Sequence, residues 1–368
     1  MLLKYNIYNT KVQYGKENIM IDKYLEDLEK RINPAVEDDL ERQWSDFWNN
    51  KDQSDLFCPK RKAAAESALK WPEININDAI NDNTFELMML KELCGYNFQL
   101  NSAGGYVGAI RTNYGTAIMP SLFGTEVYLM DAQHNTLPGS YPLPGGIDAI
   151  SGLIDAGIPD LDGGQGAQVM ECAEYYLEKL EQYPKLKKYC HIYHPDLQSS
   201  FDICEVVRGC DLFLDLYDEP EIIKNFLSLI TDTYEAYIDR WFELVKPSEE
   251  LNVHYGWIHR GKVRLSLDSC MNLSPEMYNE FAKPYDTRLL GKYGGIVHSC
   301  GKVDHFVPCL SDIKGYYGFN LSQPEYNDME AIYKETVDKG IKIMALNLNT
   351  ASESVAAGRK MHGNMMAI

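Results

Sequence analysis

The chain has 368 residues, 45% of them hydrophobic, and its 54 acidic side chains outnumber 35 basic ones, for a formal net charge of -19 at pH 7. That length suits one large α/β domain with an extension, or two ordinary domains. The charge excludes a general binder of polyanions, so no nucleic-acid partner is expected, and no apolar run of about 18 residues is present to cross a membrane.

Nine cysteines, odd in number and without a Cys-x-x-Cys, are poor material for a disulfide framework and point to a reduced compartment. The first residues, MLLKYNIYNTKVQYGKEN, hold no uninterrupted apolar segment. A cytoplasmic protein is the expectation.

In chain order, residues 19 to 50 place apolar side chains at helical spacing among charges, and TFELMMLKELCG ends at Gly95 as helices often do. Residues 1–100 are expected to form an N-terminal helical extension, and 101–368 the main domain. There, short apolar runs alternate with amphipathic helices: YVGAIR at 106, CHIY at 190, LNVHY at 251, VRLSL at 263, GIVHS at 295, YYGFNL at 316 and IKIMAL at 341. TEVYLM at 125 is a candidate eighth strand. Helices are expected over 220–245, 274–294 and 327–340, the second capped by Ser274 ahead of Pro275. Strand, helix, strand is the rhythm of a parallel sheet, either an open doubly wound sheet or a closed barrel. No G-x-G-x-x-G follows a strand, which speaks against a dinucleotide site.

Polar residues follow nearly every candidate strand: Arg111 and Tyr114, then His194, Asp196 and Gln198, then Tyr255, Asp268, His298 with Cys300, and Asn347. In a parallel barrel those positions meet at one rim. The sharpest local signal is His298-Ser299-Cys300-Gly301, where a strand end runs into a turn with two good zinc donors two residues apart. A core histidine beside a buried thiol is the plainer reading of the same pair. Asp268 is a candidate general base, a zinc neighbour, or the carboxylate that orients His298.

The run LDSCMNLSPEMYNEFAKPYDTRLLGKYGGIVHSCGKVDHF, 267 to 306, resembles the uroporphyrinogen-decarboxylase family, with Asp268, Ser269, Leu273, Ser274, Pro275, Phe281, Pro284 and Tyr285 at matching spacings. The resemblance implies a (β/α)8 TIM barrel behind an N-terminal helical extension. Within that superfamily, the zinc-dependent corrinoid methyltransferases carry His-x-Cys-Gly where His298 to Gly301 stand. This branch implies Zn2+ and transfer of a methyl group between a methyl-corrinoid, or a corrinoid protein, and a small-molecule thiol. Its third zinc ligand is a cysteine after the last strand, but no cysteine follows Cys309, so His362 becomes the expected third donor, with Cys270 and His305 as substitutes.

Catalytic roles then fall to Asp268, Arg111 and His194, and substrate contacts to Tyr114, Asp196, Gln198, Tyr255 and Asn347. The decarboxylase alternative, a lyase using the same rim, meets one arginine in Arg111-Thr-Asn-Tyr-Gly115 where that family has Arg-x-x-x-Arg. A non-catalytic barrel that binds a corrinoid or a partner is the third alternative. The family's decarboxylases are commonly dimers, which implies a homodimer here.

Overall fold

The computed structural model describes residues 21–368 apart from residue 53. Eleven strands are present among them: β1 Gly108–Ile110, β2 Val127–Tyr128, β3 Gly139–Ser140, β4 Cys190–Ile192, β5 Leu251–His254, β6 Trp257–Arg260, β7 Val263–Ser266, β8 Gly295–Ser299, β9 Tyr316–Leu321, β10 Lys342–Leu346 and β11 Met365–Ala367. Strands β7 to β11 form a parallel sheet in the order β11-β10-β9-β8-β7, and β1 pairs in parallel with β4. The fold is thus mixed α/β with parallel sheets, and no strand ladder joins the two parallel sheets into a closed ring among the described residues.

Two expected strands fall elsewhere. TEVYLM contributes only β2, which pairs antiparallel with β3. LNVHY is the first arm of an antiparallel hairpin, with Leu251 opposite Arg260 and His254 opposite Trp257. Its two-residue turn, Tyr255 and Gly256, has φ of 53° and 80°, the pair of positive values that a type I′ hairpin turn requires. Gly256 serves a second end: its carbonyl accepts from Val107 N at 2.9 Å, and a Cβ there would come 3.0 Å from the Val107 carbonyl oxygen. The parallel strand missing from the expectation is β11, too short for any periodicity to show.

The helices follow from their patterns. Pro220–Leu244 opens on proline and buries Ile223, Phe226, Leu227, Ile230, Tyr234 and Tyr237 along one face. The expected helix over 274–294 divides into Pro275–Phe281 and Lys283–Tyr293. Pro284 has no N–H for the carbonyl one turn back, so the first helix cannot run through it. Ser274 caps the first, its Oγ accepting from Met277 N at 3.2 Å.

The helix Pro34–Trp48 turns Trp44, Phe47 and Trp48 into a second apolar cluster with Phe57, Ile258, Ile296 and Met366. Each indole N–H is taken: Trp44 donates to the Gly105 carbonyl at 2.8 Å and Trp48 to that of Ile258 at 2.7 Å. Phe57 also bridges in parallel to Met366 of β11, which ties the early segment to the sheet edge. No helix among the described residues is long and apolar enough to cross a membrane.

Candidate metal centre

Register does the first work of assembly. Ser266 on β7, His298 on β8 and Asn320 on β9 are in-register partners, so their side chains stand side by side on one face of the sheet. Asn320 donates from Nδ2 to the Met344 carbonyl at 2.9 Å, which leaves Oδ1 as the acceptor facing His298 Nδ1 at 2.6 Å. The imidazole therefore carries its proton on Nδ1, and the Nε2 lone pair points onward. Burial and then the charge of Arg264 lower the His298 pKa, which keeps that lone pair unprotonated at neutral pH.

Nε2 meets two further donors. Cys300 Sγ lies 3.4 Å from it and Asp268 Oδ1 3.5 Å, and the three ligand atoms all fall within 4.8 Å of one another. Two donors on one tetrahedral zinc stand roughly 3.3–3.6 Å apart, given its bond lengths. The donor types, and the two separations from His298 Nε2, fit a zinc-sized ion. Burial, then Asp268, push the Cys300 thiol up to about 11, so this thiol is protonated at neutral pH until a cation displaces its proton.

The loops are fixed by polar groups. Asp268 Oδ1 accepts from Cys300 N at 2.8 Å, joining the two strand ends. Asp202, buried near the start of the helix Ser200–Arg208, accepts from the amides of Asp268 at 3.0 Å and Ser269 at 2.7 Å. Gln323 Oε1 receives the Gly301 amide at 2.6 Å, and Asn327 Oδ1 receives those of Val303 and Asp304.

A second polar group stands beside the first. Tyr255 donates to Asp196 Oδ2 at 2.9 Å and accepts from Arg111 Nη1 at 2.7 Å, while Gln198 donates to Asp196 Oδ1 at 2.6 Å. Arg264 Nη1 donates to Ser266 Oγ at 2.9 Å and links this group to the row that holds His298. Arg111, Asp196, Gln198 and Tyr255, expected at one rim, are thus in one network, and Asp268, His298 and Cys300 in another.

The remaining expected residues lie elsewhere. His194 is buried with both ring nitrogens engaged, Nδ1 with the Pro195 carbonyl at 2.7 Å and Nε2 with Arg264 N at 3.2 Å. It stitches the end of β4 to β7 where no strand pairing does, and burial holds its pKa down at about 4. That is the setting of a structural imidazole and not of a proton carrier at neutral pH. Tyr114 is wholly buried in the core, away from solvent. Asn347 caps the helix Leu348–Ala356 and lines a cleft of about 730 Å³ with Tyr106, Trp257, Asn320 and Ser322.

His362 corrects the expected ligand set. It is 58% exposed, its Nε2 is 3.8 Å from Asp338 Oδ1, and the third donor beside His298 and Cys300 is Asp268 instead. Cys270 is buried, and His305 bonds the Leu273 carbonyl at 2.9 Å. Asn320, Arg264, Ser266 and Asp202 were missed. The polar alternation of V-R-L-S on β7 and the asparagine inside YYGFNL were the available signals for inward-facing positions.

No protein-family model and no curated protein matches this sequence. Among solved structures the chain is similar to a methyltransferase from Methanosarcina mazei, with a TM-score of 0.55 and 14% identity over 77% of this chain and 78% of that one. At that identity the likeness speaks for the fold.

Proposed function

We propose that this chain is a methyl-transfer enzyme on a uroporphyrinogen-decarboxylase-like (β/α)8 barrel, with 1–100 as its extension and 101–368 as the barrel, and that Asp268, His298 and Cys300 hold zinc. One observation carries the reading. The chain Met344 carbonyl, Asn320, His298 fixes the imidazole tautomer and aims its lone pair at a thiol and a carboxylate, the support that metal-binding histidines receive. The likeness to a methyltransferase agrees with it.

Zinc at this place would supply the positive charge that lowers the pKa of an acceptor thiol and favours its nucleophilic thiolate. The chain's own residues do the rest. Asn320 and Asp202 hold His298 and Asp268 in position, so little reorganisation is needed when substrate arrives. The cleft beside Asn320, walled by Tyr106 and Trp257, offers aromatic surface to a bulky apolar donor, for which a methyl-corrinoid is the proposed candidate.

The test is metal stoichiometry of protein purified without chelator, followed by methyl transfer from methylcobalamin to a small thiol. About one zinc per chain, lost together with activity in Cys300→Ser, is the expected result. No bound zinc at any supply overturns the reading and favours the metal-free lyase alternative.

A further inference from the structure

The two parallel sheets leave a gap between β4 and β7, since among the described residues β4 pairs only with β1 and β7 only with β8. The β5–β6 hairpin joins neither ladder. Between β4 and the hairpin lies a cavity of about 610 Å³, within the range of small-molecule sites. It reaches Cys190, Leu251 and Lys262, at or just before the starts of β4, β5 and β7, and none of Asp268, His298 and Cys300 lines it. Its walls are mainly apolar, with Leu180, Tyr193, Trp241, Phe242, Val253 and Ile258 among them. Its lysines at 187 and 262 pair with Glu181 and Glu249.

His254, which also lines the cavity, carries an unspent polar atom. The Arg260 carbonyl can only accept, so His259 Nδ1, 3.0 Å away, bears a proton. Burial holds the His259 pKa down at about 4, so that ring is neutral and its Nε2 is an acceptor. His254 Nδ1, 2.6 Å from that Nε2, therefore donates to it. Burial, then His194, His259, Arg264 and Arg111, keep His254 neutral as well. What remains on its distal nitrogen, Nε2, is a lone pair in a residue 3% exposed, with no hydrogen-bond partner among the described residues. Buried polar atoms are seldom left so, because the hydrogen bond to water is lost and nothing replaces it.

We infer that this cavity binds a small, neutral, largely apolar alcohol or phenol whose hydroxyl donates to His254 Nε2. The chemistry selects that class. A lone pair needs a donor, which excludes an ether or a carboxylate, and the nearby charges of Arg264 and Arg111 disfavour an ammonium. Apolar walls favour a hydrocarbon or aromatic body. The inference uses no part of the metal centre and stands whether or not that centre takes zinc.

Fluorine NMR of the full chain with para-fluorophenol and with para-fluoroanisole, in which a methyl group replaces the donated proton, tests it. The phenol is expected to bind roughly three- to tenfold tighter than the ether, the worth of one hydrogen bond. His254→Phe should bind the two equally. Leu251→Trp, at a half-buried wall position, should weaken both, and it serves alone if His254→Phe does not fold. Arg240→Gln, at an ion pair with Asp162 outside the cavity, is the control and should leave both unchanged. Equal binding of phenol and ether by the parent, as when water alone serves Nε2, overturns the proposal. So does a preference that survives in His254→Phe, binding untouched by Leu251→Trp, or no binding of the phenol up to about 10 mM.

Discussion

His298 Nδ1 and Asn320 Oδ1 are 2.6 Å apart, and because Asn320 spends its amide N–H on the Met344 carbonyl, this contact has one proton arrangement. The ring orientation follows from a neighbouring strand. Asn320→Ala is therefore expected to lower zinc affinity about 10–100-fold. Asn320→Asp, which keeps an acceptor, should retain most of it. Competition with a chromophoric chelator measures both, and urea unfolding checks that the fold survives.

The identity of the third donor separates two variants. Asp268→Ala should lose near-stoichiometric zinc, whereas His362→Ala should bind it as the parent does, since His362 faces Asp338 at the surface. Zinc lost only in His362→Ala would require a rearranged C-terminal segment and would refute the cluster described above.

Asp202 touches no candidate ligand atom, yet it accepts the two amides that shape the Asp268 turn. Asp202→Asn can satisfy only one of them well. The expected outcome is a stability loss of about 1–3 kcal/mol together with weaker zinc binding. A stability loss with unchanged metal affinity would make Asp202 a fold residue alone.

Asp286 sets a pH dependence of stability. Burial raises its carboxyl from 3.8 to about 7, against a hydrogen bond from Tyr278 at 2.9 Å that lowers it. Between those values the folded chain holds a proton that the unfolded chain releases. Stability is therefore fully present below about pH 4 and falls as pH rises through 7, by about 1.4 kcal/mol per unit from this group. Asp286→Asn should remove that slope and be more stable than the parent at pH 7. Chemical denaturation at several pH values reads it directly.

Part of this was legible without coordinates. β8, β9 and β10 are legible as short, largely apolar runs, because a strand buried on both faces leaves a hydrophobic signature, whereas β7 shows as the alternation V-R-L-S. The same property hid the hairpin: LNVHY looks like one more parallel strand, and its turn lacks the usual Asn-Gly signal. The pattern over 274–294 is continuous enough to suggest one helix, although Pro284 marks the break between two.

The chemistry of the site divides in the same way. His298 and Cys300 are two residues apart, so local geometry alone lets their donor atoms meet, and the sequence determined that pair. Asp268 is 30 residues earlier and reaches His298 only because β7 and β8 are in-register neighbours. Chain order points to His362 as third donor because it follows the last expected strand, but chain order carries no information on which side chains turn inward. Asn320, Arg264 and Asp202 act through neighbouring strands and turns, and Tyr255 reaches Arg111 from a hairpin tip. Those contacts depend on sheet register and on the docking of distant segments, which only the tertiary structure decides.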